Sequence, residues 1–240
     1  MPFRLPRRRP LAALQVEVTS RCPRGCTICP GSAPELGWRN GDLDEATWGK
    51  LEDDLGLVCH VQLQGWGEPL LHPRLPEIVG AVKAAGSRVG LTTNGDLLPD
   101  AVEWIVDRRV GLVTISMAGS GARHDALRDG SRLQEVWGAI GRLLARRGRR
   151  KRPRVEIGYL LTLEGIEDLP RVLEKAAEKG VDELFVIHLD VLPTRELLDR
   201  TAFDSSGLRP GAGGAIEAAE RAARAGRIVS GHRRRSPRTC

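Results

Sequence analysis

The sequence predicts an α/β fold of six βα units with parallel strands. Three observations carry this. Between residues 14 and 189, short alternating apolar runs take turns with stretches whose apolar residues recur at helical spacing. Gly, Asn and Asp punctuate the joins. A chain of 240 residues is also long enough for one sizeable core. Such units close into a barrel, full or partial, or stay open as a doubly wound sheet, and periodicity does not choose between the two.

The first strand is predicted over residues 14–19, and a helix over 44–55 follows, with Asp42 or Asp44 placed to cap it. Strand two covers 60–64 and helix two 74–85, with Gly86 just past its end as the natural left-handed residue. Strand three, 88–93, runs into Asn94-Gly95. Helix three covers 99–108, strand four 111–117, helix four 132–147 and strand five 154–163. Helix five, 166–179, stops at Gly180; strand six covers 183–189, and a last helix falls within 214–225.

Composition is that of an ordinary globular protein, 41% hydrophobic and 28% charged. It holds no apolar run long enough to span a membrane. Arg7-Arg8-Arg9 reads as part of a basic leader over residues 1–11, because Glu17 and Arg21 follow too soon for the apolar core of an export signal. Net charge is +6, and 32 of the 37 Lys and Arg residues are arginine. The densest run, Arg146 to Arg154, sits between a helix and a strand, where its cations favour the helix C-terminus. It lacks the aromatic residues of a stacking surface, so nucleic acid is set aside as a partner.

The chemistry concentrates in Cys22-Pro23-Arg24-Gly25-Cys26-Thr27-Ile28-Cys29, directly after the first strand. Cysteines four and then three apart on one loop can wrap a single metal centre. Three thiolates on a four-iron cubane leave one iron open, as catalytic zinc keeps an open position. A structural zinc site needs a fourth ligand, and C-x3-C-x2-C is not the usual paired spacing. A plain electron-transfer cluster needs a fourth cysteine nearby, and none lies between Cys29 and Cys59. Cys59 and His60 start strand two, at the end of the fold opposite the loop.

The cysteine loop, its spacing and its position resemble the radical S-adenosylmethionine (SAM) enzymes. That resemblance implies a partial (β/α)6 barrel, TIM-like, with the site at the C-terminal ends of the strands. It implies a [4Fe-4S] cluster on Cys22, Cys26 and Cys29, and SAM on the open iron, cleaved reductively to methionine and a 5′-deoxyadenosyl radical. Gly65-Trp66-Gly67-Glu68-Pro69 resembles the family's G-G-E-P motif and falls one βα unit later. It implies that Gly65, Gly67, Glu68 and Pro69 hold SAM, with Glu68 and nearby carbonyls accepting from its ammonium. Thr92-Thr93-Asn94-Gly95 and Ser116 at the end of strand four resemble further family strand ends and add Asn94 and Ser116 to the SAM contacts. Ala118 stands where many relatives carry Asp, and Ile28 where many carry an aromatic. Glu156, Tyr159 and Thr162 on strand five, and His188 and Asp190 at the end of strand six, complete the polar strand positions.

The core domain is expected over residues 12–228. A basic tail over 229–240 ends at Cys240, which reads either as the first ligand of a cysteine-rich auxiliary-cluster domain of the SPASM type or as a lone cysteine. The expected function is a cytoplasmic radical SAM enzyme that modifies a peptide or protein or builds a cofactor, served by an external flavodoxin or ferredoxin. Its rivals are an iron–sulfur electron-transfer or structural protein, and an RNA-modifying member of the same superfamily. Catalytic residues beyond the cofactor contacts are not assigned.

Overall fold

The computed structural model describes residues 9–33, 36–188, 201, 203–204, 207–208, 213–214, 217 and 221. Six strands form one parallel sheet: β1 Leu14–Val16, β2 His60–Leu63, β3 Arg88–Thr93, β4 Leu112–Met117, β5 Arg154–Leu161 and β6 Glu183–His188. They are joined through α1 Glu45–Asp54, α2 Leu75–Ala84, α3 Leu98–Asp107, α4 Gly121–Leu127, α5 Leu133–Arg147 and α6 Leu169–Lys179. Beyond them Phe203–Asp204 and Gly207–Leu208 pair as a two-stranded antiparallel ribbon.

Strand order decides between barrel and open sheet. The order is β1-β2-β3-β4-β5-β6, each strand beside its sequence neighbours. Right-handed crossovers between such strands put every helix on one face, so the sheet curls. A doubly wound sheet would need the order to reverse part-way. The fold is therefore a partial (β/α)6 barrel, and among the described residues β1 and β6 do not pair.

The two faces of the sheet differ as the pleat requires. Val61, Leu63, Val89, Leu91, Val113, Ile115, Val155 and Ile157 are buried in one core with Val79, Val82, Ile105, Ile140 and Leu173 of the helices. The opposite face carries a hydrogen-bonded polar ladder. His60 meets Gln62 at 2.9 Å, Gln62 donates to Thr92 at 2.9 Å, Thr92 to Gln64 at 2.5 Å, and Gln64 to Gln15 at 3.0 Å. The lumen wall over β1–β3 is thus internally hydrogen-bonded, with Arg88 of β3 beside His60 at its N-terminal end.

The ends of the elements follow local rules. Asp44 caps α1 by accepting from Thr47 N at 2.8 Å. Gly180 ends α6 in the left-handed region, φ +77°. Expected bounds hold to within a residue or two, with three corrections. The first strand stops at Val16 instead of residue 19, and Thr19 makes only an isolated bridge to Asp42. The expected helix from 166 is a 3₁₀ turn, Ile166–Asp168, followed by α6. Helix α4 was not expected: seven residues opening on Gly121, without a side-chain cap, are too short for a periodic signal. The helix expected within 214–225, Asp190, and the tail with Cys240 lie largely or wholly outside the described residues.

The two ends of the arginine run are tied into the fold. Arg146 pairs with Glu103 at 2.5 Å and Asp107 at 2.6 Å, Arg147 pairs with Asp182, and Arg154 pairs with Glu183 at 2.6 Å. Between them Arg149, Arg150, Lys151 and Arg152 are exposed.

Candidate cluster and cofactor site

The cysteine loop leaves the C-terminal end of β1 and lies against the segment that follows β4. Thr27 N donates to Leu127 O at 3.2 Å, and Arg24 donates to Asp129 O at 3.3 Å while pairing with Asp96 at 2.5 Å. Cys26, Ile28, Ala118 and Leu127 form a small buried apolar cluster, with Cys29 and Leu160 packed on it. This accounts for two departures from the family pattern. Ile28 and Ala118 are wall residues here, and an aspartate in place of Ala118, fully buried, would put a charge into that wall.

The three thiols are free and close enough to feel one another. Burial pushes all three up from the ordinary thiol value. Backbone N–H groups oppose this at Cys22, from Arg24, and at Cys29, from Gly31 and Ser32; at Cys26 the charge of Arg128 does so. Asn94 adds a donor, Nδ2 to Cys22 Sγ at 3.8 Å. Among the described residues no three His, Cys, Asp or Glu side chains converge tightly enough for one metal ion. A four-iron cubane asks for a different arrangement, three thiolates spaced around a larger body, each on its own iron, in a partly dry pocket with donors to the sulfurs. The loop fits that group better than it fits zinc.

The loop after β2 sits beside the cysteine loop. Glu68 N donates to Arg21 O at 2.8 Å. The Glu68 side chain is 2% exposed and turned inward. Its Oε1 accepts from Leu70 N at 3.0 Å and Thr93 Oγ1 at 2.8 Å, and its Oε2 from Asn94 N at 2.7 Å. Burial pushes this carboxyl up to about 7. Glu68 therefore ties the β2 loop to the end of β3, and one lone-pair position on Oε2 is left over. Pro69 is buried and opens the 3₁₀ turn Pro69–Leu71. A Cβ on Gly67 would stand 2.1 Å from the backbone Thr19 O, where it cannot fit, and one on Gly65 would stand 2.2 Å from Glu17 Oε1, a side chain that would have to move aside.

The structure thus brings Cys22, Glu68 and Asn94 into one network and sets Gly65 and Gly67 on its border. Ser116 is half-buried on β4, in register with Gly158, apart from that network. Tyr159 is core: its hydroxyl donates to Gly165 O at 2.5 Å. Cys59 and His60 lie at the N-terminal end of β2, opposite the cysteine loop, as expected. Sequence reasoning missed Glu17, whose carboxylate accepts from the β2 loop, and α4, with buried His124 and, just past its end, half-buried Arg128, whose charge reaches Cys26. Glu17 had one signal, its place in the Gln15/Glu17 alternation.

Comparison with known proteins settles the family. The radical SAM superfamily matches residues 16–203. The chain belongs to that superfamily. A tungsten-containing aldehyde ferredoxin oxidoreductase cofactor-modifying protein of Pyrococcus furiosus is 30% identical over 203 residues, which cover 80% of this chain and 55% of that protein. A PqqA peptide cyclase of Gluconobacter oxydans is 26% identical over 211 residues, covering 80% and 56%. Among solved structures, Streptococcus suis SuiB bound to S-adenosylmethionine superposes with a TM-score of 0.62 at 17% identity, covering 74% of this chain and 40% of that one. TYW1 with a lysine-pyruvate adduct superposes at 0.60 and 16% identity, covering 89% and 73%. Such structural likeness speaks for the fold. This radical SAM chain spans about half the length of the curated relatives it matches. No helix among its described residues is long and apolar enough to cross a membrane.

Proposed function

We propose that this chain is the catalytic core of a radical SAM enzyme, with Cys22, Cys26 and Cys29 holding a [4Fe-4S] cluster. Bound there, the cluster supplies the electron that cleaves SAM to methionine and a 5′-deoxyadenosyl radical. The protein's own part is to bind, orient and exclude water. The carbonyls of residues 65–67 and the remaining position on Glu68 take the SAM ammonium. Pro69 fixes the turn beneath them, and Asn94 supports both the cysteine loop and Glu68. Ser116, across the sheet on β4, contacts the ribose or carboxylate. The apolar wall of Ile28, Ala118 and Leu127 keeps the thiolate side dry. The observation that carries this reading is the network joining Cys22, Asn94 and Glu68, which couples the cysteine loop to the loop after β2.

The substrate class we favour is a peptide or protein, or a cofactor precursor, in keeping with the names of the relatives and with a SPASM-like affiliation. We take residues 12–228 as the core domain, a cytoplasmic setting, and a flavodoxin or ferredoxin as electron donor. The test is anaerobic reconstitution, reduction and addition of SAM. Release of 5′-deoxyadenosine is expected without added substrate. An intact cluster that never releases it under strong reduction overturns the proposal and favours the electron-transfer reading.

A further inference from the structure

Glu17 follows directly on β1, on the lumen face it shares with Gln15. Its carboxylate lies against the neighbouring loop: Oε1 accepts the backbone N–H of Trp66 at 2.6 Å and that of Gly67 at 3.2 Å. A trans peptide unit is planar, so its N–H and C=O point in opposite directions. Drawing those two N–H groups onto Glu17 turns the carbonyl oxygens of Gly65 and Trp66 away from it. Neither carbonyl accepts a hydrogen bond from the described residues. Gly65 and Trp66 are both exposed, so two adjacent acceptors stand open to a ligand that carries donors.

The loop is held in this orientation from both sides. A Cβ on Gly65 would stand 2.2 Å from Glu17 Oε1, so Gly65 and the Glu17 carboxylate occupy complementary space. On the other side Gly67 packs on the Thr19 carbonyl, and Glu68 N is bonded to Arg21 O. Among the described residues Glu17 is the partner of both N–H groups, and its contacts set which way the two peptide units face. With Glu17 removed, both N–H groups lose their protein partner, and the units are free to turn and present donors where a cation needs acceptors.

We propose that Glu17 is a positioning residue for SAM. It orients the Gly65 and Trp66 carbonyls toward the methionyl ammonium, and its negative charge deepens the potential felt there. This rests on SAM being the ligand of the loop, as proposed above.

The experiment uses the cluster-loaded chain and its Glu17→Ala, Glu17→Gln and Gly65→Ala variants. Iron content, affinity for SAM and affinity for 5′-methylthioadenosine, which lacks the amino-acid end, are measured. In Glu17→Ala iron is retained, SAM binds about tenfold more weakly, equivalent to about 1.4 kcal/mol, and 5′-methylthioadenosine binds as before. Glu17→Gln recovers part of the loss, because its amide oxygen still accepts both N–H groups. A Cβ at Gly65 displaces the same carboxylate, so the Glu17→Ala and Gly65→Ala losses do not add in the double variant. In cluster-free protein the Trp66 and Gly67 amides exchange with solvent faster in Glu17→Ala than in Glu17→Gln. Wild-type affinity for SAM in Glu17→Ala overturns the assignment alone, as does an equal loss of both ligands. A wild-type chain that holds its cluster and binds no SAM overturns the underlying reading, and this one with it.

Discussion

The side-chain amide of Asn94 faces the sulfur of Cys22, Nδ2 to Sγ 3.8 Å, while its backbone N–H donates to Glu68 at 2.7 Å. One residue at the end of β3 thus touches both halves of the site. Hydrogen bonds to the sulfurs of an iron–sulfur cluster help set its potential, and a donor favours the more electron-rich reduced form. Asn94→Ala is therefore expected to lower the midpoint potential while the iron stays bound. Potentiometric titration of the cluster signal checks this; an unchanged potential would separate Asn94 from the cluster.

Cluster content follows from the loop. The reconstituted chain is expected to hold about four irons on these cysteines, the content of one cubane. Replacing Cys22, Cys26 or Cys29 with Ala is expected to abolish it. Iron and sulfide analysis of each variant is the measurement, and a stable cubane in all three would defeat the ligand assignment.

Glu68→Ala removes the partner of Asn94 N, Thr93 Oγ1 and Leu70 N together. Loss of one hydrogen bond to a charged group is worth about 1.5–3 kcal/mol, and the SAM affinity of this variant is expected to fall within that range with the cluster retained. Unchanged affinity would show that the carboxylate serves only the β2–β3 connection.

How far the sequence carried this site depends on the range over which each signal acts. The cysteine spacing and the Gly65 to Pro69 motif are local and were legible without coordinates. Glu17 was not. On a strand it reads as one more polar residue until the β1–β2 register, Val16 beside Leu63, brings it under Trp66. Glu68 was legible as a candidate for the site, yet its inward turn depends on the end of β3, a whole βα unit away. Periodicity left two architectures open, because helices on one face and helices on both share it; the family resemblance implied the partial barrel, and the strand order agrees. Helix α4 was missed because two turns opening on glycine leave too little pattern to detect.

His124 gives a pH signature. It is fully buried, accepts from Ala118 N at 3.2 Å through Nδ1, and burial pulls it down to about 3. The unfolded chain binds the proton near the ordinary histidine value and the folded chain does not. Stability is therefore lost as pH falls from about 6.5 toward about 3, with a slope approaching 1.4 kcal/mol per pH unit. Denaturant unfolding of cluster-free wild type and His124→Asn across that window is the test. The variant is expected to show the shallower slope, and equal slopes would count against a neutral buried imidazole.

Gly95 holds φ at +91°, and a Cβ there would approach Val136 Cγ1 to 2.8 Å. Gly95→Ala is expected to cost at least about 1–2 kcal/mol from backbone strain alone, read by chemical denaturation. A neutral outcome would mean that the turn after Asn94 relaxes.

Among the described residues β1 and β6 do not pair, so strand-to-strand hydrogen bonds tie each of them into the wall along one side only. The wall is a strip that curls, not a ring that closes. Its curvature is set locally, by the twist between neighbouring strands and by the helices packed on its outer face.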